Sequence, residues 1–180
     1  PFVGREAELK ELRKFFNKKS ASLIVVKGRR RIGKSRLVEE FASECEFYQF
    51  SGLPPTEKTT AQSQRDEFSR QLSEQTGLPE LQSDDWGKLF YLLAEKTQKK
   101  KVVLLFDEIS WMGGLDPIFL GSLKTWWDQE GCKKANLILI LCGSISTWIE
   151  KNILQSTGFV GRISLVLHLK PLSIIESVLF

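Results

Sequence analysis

The sequence predicts an α/β fold in which helices cover both faces of a parallel β-sheet. Three short segments are continuously apolar, namely residues 22–27 (SLIVVK), 101–106 (KVVLLF) and 137–141 (LILIL). Strands that are buried on both faces of a parallel sheet have this composition. Between these segments, apolar residues recur three and four positions apart, which is typical of amphipathic helices. The alternation of buried strands with helices therefore favours a parallel sheet.

The N-terminal part of the chain is predicted to contain two helices and two strands. The spacing of leucine and phenylalanine residues places a helix over residues 6–16, ahead of the first apolar strand. A glycine-containing loop follows this strand, and Leu37, Val38 and Phe41 mark the second helix. The aromatic run at residues 46–50 (EFYQF) is predicted to be the second strand.

A polar segment at residues 51–85 separates this strand from the next helix. It is rich in Ser, Thr and Gln, and we interpret it as a mobile insertion between strands. The apolar residues between Ala61 and Leu72 predict one amphipathic helix inside it. Asp84 or Asp85 is expected to cap the helix that follows.

The C-terminal part of the chain continues the alternation after the KVVLLF strand. Pro117 is placed in the first turn of a helix that carries Trp126 and Trp127. These tryptophans are adjacent, so we expect only one of them to face the core. After the LILIL strand, the pattern predicts a helix at residues 146–154 and a final strand at residues 163–169.

Composition and cysteine usage exclude several classes of protein. The three cysteines form no CxxC pair, which argues against a disulfide framework and a zinc ribbon. The single histidine, His168, lies in a predicted strand, so metal–imidazole sites and His-dependent catalytic triads are disfavoured. The net charge of +4 permits an anionic partner without identifying one. Reduced thiols indicate a cytoplasmic protein.

The length of 180 residues fits a single domain over residues 1–180. No apolar run approaches the roughly 20 residues that a membrane-spanning helix needs, so we expect no membrane partner. The chain begins with Pro1 rather than Met, and Phe180 falls in a predicted helix that begins near Ser173. We therefore expect the domain to be a fragment of a longer chain.

Residues 28–35 (GRRRIGKS) fit the phosphate-binding pattern GxxxxGK[ST]. Glycines let the backbone wrap closely around phosphates, and the amides of the loop and of the next helix point at the anion. Lys34 is expected to contact the β- and γ-phosphates of a nucleotide, and the Ser35 hydroxyl to bind Mg²⁺. A chance match is disfavoured because the pattern follows a buried strand and opens a helix. The candidate nucleotide contacts in this segment are Gly28, Arg31, Ile32, Gly33, Lys34, Ser35 and Arg36.

An acidic pair, Asp107 and Glu108, ends the KVVLLF strand. Carboxylates at the C-terminal end of a parallel strand lie beside the ligand crevice. We expect Asp107 to hold Mg²⁺ through water and Glu108 to activate the attacking water. The alternative is an acidic pair that stabilises a helix N-terminus.

Two further polar residues are candidates for the catalytic site. Ser144 ends the LILIL strand and is expected to contact the γ-phosphate or the attacking water, with Ser146 as the competing residue. Arg162 follows the glycines of the TGFVGR segment, which suits either an arginine finger or an ordinary surface arginine. Arg29, Arg30 and Arg31 occupy variable positions of the loop, and we interpret them as solvated side chains. Support of the phosphate charge by one of them is the alternative, and a nucleic-acid patch is less favoured.

These motifs together resemble the prokaryotic P-loop ATPases of the STAND group in the AAA+-like lineage, often called archaeal-type ATPases. The segments FVGRE, IVVKGRRRIGKS, VVLLFDEIS, LILCGS and GRISLVLHLKPLS follow one another over almost the whole chain. The resemblance implies a three-layer P-loop NTPase core with a parallel five-stranded sheet of order 5-1-4-3-2. Relatives continue into a helical lid and further C-terminal domains, so the lid is expected to be absent or truncated here.

The resemblance also implies which residues recognise the base and which partners are involved. Phe2, Val3, Gly4, Arg5 and Leu172 are expected to contact adenine. In this lineage a basic residue after the fourth strand can complete a neighbour's site, so Arg162 as an arginine finger would imply a homo-oligomer. Nucleic-acid or nuclease-like functions are expected in the C-terminal domains.

The sequence as a whole predicts an ATPase that binds Mg-ATP and works as an ATP-dependent molecular switch. A nucleotide-binding module without turnover is the first alternative. A GTPase is disfavoured because residues 17–20 (NKKS) fail the NKxD pattern at the last position. A small-molecule kinase lacks a recognisable acceptor site, and a nucleic-acid-binding module lacks a reader motif.

Overall fold

Five parallel strands form one sheet in the computed structural model, which describes residues 4–97, 100–144 and 146–172. The strands lie in the order β2-β3-β4-β1-β5, which is the predicted order 5-1-4-3-2 counted from the opposite edge. The α/β fold class is therefore confirmed. The strands are β1 (Ser22–Lys27), β2 (Glu46–Ser51), β3 (Val102–Asp107), β4 (Leu137–Gly143) and β5 (Leu165–His168).

Helices connect the strands and pack on both faces of the sheet. The α-helices are α1 (Glu6–Arg13), α2 (Lys34–Phe41), α3 (Ala61–Thr76), α4 (Trp86–Glu95), α5 (Ile109–Gly113), α6 (Phe119–Gln129) and α7 (Ser146–Ile149). A 3₁₀ turn at Gly131–Lys133 follows α6, and a π-helical segment at Glu150–Leu154 continues α7. None of the helices described is long and apolar enough to span a membrane. The predicted helix after Ser173 lies outside the described residues.

The core consists of two apolar layers, one on each face of the sheet. In β1, Leu23 and Val25 face the layer formed by α3, α4 and α6, whereas Ile24 and Val26 face α1 and α2. Successive side chains of a strand point to opposite faces, so both sets are buried only when both faces are covered. This arrangement explains why β1, β3 and β4 are apolar throughout.

The two adjacent tryptophans of α6 are both buried, so the expectation that only one would face the core was wrong. Trp126 and Trp127 are each 4% exposed and belong to the same core layer. The 3₁₀ turn folds back over the end of α6 and places Gly131 against both rings. A Cβ atom at Gly131 would lie 2.7 Å from Trp127 and 3.0 Å from Trp126.

The polar segment after β2 contains α3, which is longer than the predicted helix and packs along the outer edge of the sheet. Three glutamines of α3 each form two hydrogen bonds with one backbone unit of the chain that runs along this edge. We call these residues the glutamine ladder. Each side-chain amide accepts a hydrogen bond from the N–H of one residue and donates a hydrogen bond to the C=O of the same residue. Gln64 pairs in this way with Leu53 (2.8 and 2.9 Å), Gln71 with Ser51 (2.8 and 3.0 Å) and Gln75 with Gln49 (2.8 and 2.8 Å).

The other predicted elements are present with small shifts of their boundaries. The first helix ends at Arg13 rather than at residue 16, and the last strand covers Leu165–His168 rather than residues 163–169. Asp85 caps α4, because its side chain accepts from the backbone N–H of Gly87 at 2.8 Å. The sequence pattern did not predict the short helix α5, which directly follows the acidic pair.

Candidate functional site

The loop between β1 and α2 runs across the C-terminal edge of the sheet. Arg31 and Gly33 adopt positive φ angles of 62° and 101°, which turn the backbone into the first turn of α2. Gly28 lies so close to the segment after β5 that an added Cβ atom would lie 2.8 Å from the Leu169 carbonyl oxygen. The loop therefore needs glycine at position 28 for space and at position 33 for backbone conformation.

The Lys34 side chain is buried beneath this loop, with 6% of the residue exposed. Its ammonium group donates to the carbonyl oxygens of Gly28 at 2.6 Å and Arg29 at 2.8 Å. The charge is therefore held at the centre of the loop, where the amide groups of the α2 N-terminus also point.

Ser35 and Asp107 meet at the mouth of the loop. The Ser35 hydroxyl donates to Asp107 Oδ2 at 2.5 Å, and Asp107 Oδ1 accepts from the Glu108 N–H at 2.9 Å. Two oxygen atoms from different elements thus converge at one point. Such hard oxygen donors suit Mg²⁺, which usually takes only one or two carboxylates from the protein and completes its shell with water and phosphate. The described residues contain no cluster of three His, Cys, Asp or Glu side chains that could hold a metal ion.

Glu108 directly precedes α5 and has a left-handed backbone conformation, at φ 50°. Burial and the neighbouring Asp107 carboxylate raise the pKa of Glu108, while Lys34 and Arg30 oppose this shift. The Ser144 hydroxyl at the end of β4 donates to Glu108 Oε2 at 3.4 Å. The structure thus brings together the predicted catalytic residues Lys34, Glu108 and Ser144.

These residues surround a polar cleft of about 330 Å³. Its lining carries more cations than carboxylates, which suits a polyanion. A larger groove of about 980 Å³ lies between α4 and α6, but it is mostly apolar and is lined by none of the motif residues. The polar cleft of about 330 Å³ is lined by Arg30, Arg31, Gly33, Lys34, Ser35, Arg36, Asp107 and Glu108.

Two arginines of the loop segment make contacts that the sequence did not predict. The Arg30 guanidinium lies over the Trp111 ring of α5, 4.9 Å from its centroid, so this exposed arginine connects the loop to the helix after the acidic pair. Arg36 lies 3.8 Å from the Glu39 carboxylate on the surface of α2. Nothing in the sequence spacing pointed to Trp111 as a partner of the loop.

The N-terminal segment lies against the same loop. Arg5 is 6% exposed, and its guanidinium donates to the Ile32 carbonyl oxygen at 3.2 Å. Beside it, a small cleft of about 250 Å³ is lined by the start of α1 and by Lys170 and Pro171. Gly4 adjoins Arg5, and Leu172 is half-buried, whereas Phe2 and Val3 lie outside the described residues. The opening and closing segments therefore meet next to the loop.

Arg162 lies away from this cleft, just before β5 and thus at the edge where the strands begin. Its guanidinium donates to both carboxylate oxygens of Asp128, at 2.7 and 3.0 Å. Hydrogen bonds from Arg162 lower the pKa of Asp128. A six-residue strand is about 20 Å long, so Arg162 cannot reach the phosphate loop of its own chain.

Comparison with known proteins places the chain among archaeal ATPases. A family model described as an ATPase domain predominantly from Archaea matches residues 2–178. An uncharacterized protein of Methanocaldococcus jannaschii is 28% identical over 171 residues, which are 95% of this chain and 36% of that protein. An uncharacterized ATP-binding protein of the same organism is 45% identical over 40 residues, or 22% of this chain and 68% of that protein.

Solved structures share the fold at low sequence identity. The Walker-type ATPase PABY2304 of Pyrococcus abyssi has a TM-score of 0.63 and 19% identity, covering 98% of this chain and 56% of its own. For Cdc6p from Pyrobaculum aerophilum, the TM-score is 0.65 and the sequence identity is 15%, and the match covers 99% of this chain and 50% of that protein. The ORC2 protein of Aeropyrum pernix, solved with ADPNP and ADP, has a TM-score of 0.61 and 15% sequence identity, and the match covers 94% of this chain and 48% of that protein.

The chain spans about half of each of these solved structures and about a third of the first M. jannaschii protein. The family match, in contrast, covers nearly the whole chain, and the GRRRIGKS loop and the acidic pair meet at the C-terminal edge of the parallel sheet. The chain therefore belongs to the family of ATPase domains found predominantly in Archaea, and it is a P-loop ATPase domain.

Proposed function

We propose that this domain binds Mg-ATP in the 330 Å³ cleft, hydrolyses it there, and works as an ATP-dependent molecular switch. The convergence of Lys34, Ser35, Asp107 and Glu108 on one cleft carries this proposal. These side chains come from two segments more than 70 positions apart and meet because β1 and β3 end at the same edge of the sheet.

The phosphates are proposed to lie over the loop. Lys34 would exchange its two carbonyl partners for oxygens of the β- and γ-phosphates, while loop amides bind the other oxygens. Ser35 and Asp107 would hold Mg²⁺ on the open side of the cleft, Asp107 through water. Bound Mg²⁺ bridges phosphate oxygens and neutralises their charge.

Glu108 is proposed to accept a proton from the attacking water, and Ser144 to orient the Glu108 carboxylate or the γ-phosphate. The hydrogen bond between Ser144 and Glu108 supports this assignment, as does the raised pKa of Glu108, because burial and the neighbouring Asp107 make its carboxylate a stronger base.

Adenine is proposed to bind beside Arg5, in the small cleft between the start of α1 and the segment after β5. This cleft adjoins the phosphate loop through the contact between Arg5 and Ile32. Phe2, Val3, Gly4 and Leu172 remain the other proposed base contacts.

The switch function is proposed to depend on the contact between Arg30 and Trp111. A phosphate-dependent movement of the loop would be passed through this contact to α5, which directly follows Glu108. Regions outside this chain, including DNA-binding or nuclease-like domains, are the proposed recipients of the signal. Free cysteines and dependence on ATP favour the cytoplasm.

Matched single-site variants test this proposal in binding and turnover assays. Lys34→Ala should lose charge-assisted contacts worth about 1.5–3 kcal/mol each, and so weaken ATP binding at least about tenfold in calorimetry. Glu108→Gln should bind ATP normally but hydrolyse it at least about 10²-fold more slowly. Exposed Glu57→Gln and Lys58→Ala serve as controls and should change neither quantity.

The results separate the proposal from its main alternative. Turnover by Glu108→Gln at the wild-type rate would contradict the role of Glu108. Tight ATP binding without turnover in the wild-type full-length protein would favour a nucleotide-binding module instead.

A further inference from the structure

The edge of the sheet opposite the ATP cleft, where the strands begin, carries a concentration of lysines. They belong to the segments that lead into β1, β3 and β4. Five of them are exposed, while Lys101 and Lys134 are half-buried. We call this set the lysine edge: Lys18, Lys19, Lys96, Lys100, Lys101, Lys133 and Lys134.

The strand order brings these three segments side by side. β3, β4 and β1 are neighbours, and Val102 pairs with Leu137 just as Ser22 pairs with Ile138. Adjacent strands lie about 4.8 Å apart, so the starts of the three strands span about 10 Å. Side chains also connect the segments: Lys101 Nζ donates to the Lys18 carbonyl oxygen at 3.4 Å, and Asn136 Nδ2 to that of Lys100 at 2.8 Å.

Carboxylates do not neutralise the lysine edge. In the part of the chain that the structure describes, none of its seven ammonium groups is within ion-pair distance of a carboxylate, unlike Lys14, Lys27 and Lys124. Lys18 lies over the Phe15 ring, 4.4 Å from the centroid. Four acidic residues flank the edge, so an excess of positive charge remains: Glu44, Glu46, Glu95 and Glu130.

We infer that the lysine edge binds the phosphate backbone of nucleic acid. Closely spaced lysines with no carboxylate partner suit a regularly spaced row of phosphates, because each contact releases a condensed counterion. Lysine acts as a point charge, whereas sequence is mostly read by arginine and amide side chains that match base edges. Binding at the lysine edge is therefore independent of sequence.

An anionic membrane surface fits this edge less well. Peripheral membrane binding combines basic residues with apolar side chains that insert among the lipids. The described residues of the three segments include no exposed large apolar side chain. The lysine edge therefore matches the phosphate backbone of a nucleic acid better than the surface of a lipid bilayer.

The lysine edge and the ATP cleft lie at opposite ends of the strands, about 20 Å apart. Nucleic acid and ATP can therefore bind at the same time, and variants of the edge should leave ATP affinity unchanged. This inference does not depend on ATP hydrolysis, so each proposal can fail alone.

Two triple charge reversals in the full-length protein test the inference. Lys19→Glu/Lys100→Glu/Lys133→Glu removes one exposed lysine from each segment. Lys58→Glu/Lys88→Glu/Lys151→Glu makes the same change in net charge at exposed positions elsewhere. Fluorescence anisotropy with a labelled DNA duplex of about 24 base pairs measures the affinity at about 50 and 200 mM salt.

The edge variant should lose at least tenfold in affinity at the lower salt, and the control variant less than about threefold. For about four phosphate contacts, wild-type affinity should fall by about 10²-fold between the two salt concentrations. Unchanged ATP affinity will show that both variants are folded. If the edge variant unfolds, the milder Lys19→Gln/Lys133→Gln variant should still show a selective loss.

Three results would overturn the inference. Equal losses in the two triple variants would indicate a response to net charge alone. If the wild-type protein does not bind the duplex at low salt, nucleic acid is not the partner of the lysine edge. Stronger capture by vesicles of phosphatidylserine and phosphatidylcholine than by the duplex would assign the edge to a membrane surface.

Discussion

Glu108 is held in the left-handed region of the backbone, at φ 50°, which non-glycine residues rarely occupy. Such a conformation costs of the order of 1–3 kcal/mol and persists where surrounding contacts impose it. Here its carbonyl oxygen accepts from the N–H groups of Trp111 and Met112, and its side chain accepts from Ser144. The conformation directs a half-buried carboxylate next to Asp107, which is why its pKa is raised.

The raised pKa of Glu108 predicts a pH-dependent effect on stability. Since the folded protein disfavours the ionised carboxylate, this residue reduces the free energy of unfolding as the pH rises above the ordinary glutamate pKa. Glu108→Gln should therefore raise the melting temperature at pH 7. The gain should disappear below the ordinary pKa, where the carboxyl is protonated in both states. An equal gain at both pH values would show that repacking, not ionisation, is the cause.

Two glycine substitutions should have opposite effects on the free energy of unfolding. Gly28→Ala places a Cβ atom 2.8 Å from the Leu169 carbonyl oxygen and should destabilise the protein by about 1–3 kcal/mol. Gly121 lies in α6 with no atom within 4 Å of an added Cβ, so Gly121→Ala should stabilise it by about 0.5–1 kcal/mol. Urea unfolding measures both changes, and a neutral Gly28→Ala would mean that the loop can move away from β5.

At the scale of elements, the sequence alone was sufficient to predict the strands, but it did not predict how α3 covers the outer edge of β2. Strands buried on both faces leave continuous apolar runs, which can be recognised without a structure. The glutamine ladder leaves no apolar pattern, because its bonds connect polar side chains to the backbone. Its sequence signal is that Gln64, Gln71 and Gln75 share one helical face with Phe68. The contact of Arg162 with Asp128 depends on the packing of α6 against the segment before β5, which no sequence pattern predicted.

The rungs of the ladder should contribute unequally to stability. Gln64 is 2% exposed, so Gln64→Leu should leave the part-buried N–H and C=O of Leu53 without their present partners and cost about 2 kcal/mol. Gln75 is exposed, and water can replace its amide, so Gln75→Leu should cost less than about 1 kcal/mol. Denaturant unfolding of both variants is the measurement. Equal costs would indicate that the ladder acts only through helix packing.

At the scale of the molecule, the chain order predicted the fold and one composite site, because parallel strands bring their C-terminal ends to a single edge. Lys34, Ser35, Asp107, Glu108 and Ser144 met there as expected. The opposite edge was not predictable, since its lysines come from separate segments with no shared motif. Arg162 also lies at that edge, beyond reach of its own cleft.

If Arg162 acts on a neighbouring subunit, hydrolysis by the full-length protein should depend on assembly. Arginine fingers contribute roughly 10³–10⁵ in rate, so Arg162→Ala and Glu108→Gln should each be inactive alone. Mixing them should restore activity, because one interface then pairs an intact Glu108 with an intact Arg162. Specific activity should also rise with protein concentration. An inactive mixture, with activity independent of concentration, would return Arg162 to a local role beside Asp128.

The glutamine ladder also bears on aggregation. An unprotected edge strand is a template for another chain, yet on the outer edge of β2 the N–H and C=O groups of Gln49 and Ser51 are already occupied by α3. Only a carboxamide can donate and accept at each rung. Deamidation to glutamate would keep the size of the side chain and the acceptor for the N–H, but it would remove the donor and leave the C=O group of that rung unpaired. Slow chemical ageing of these side chains would thus make the β2 edge available for pairing with further copies.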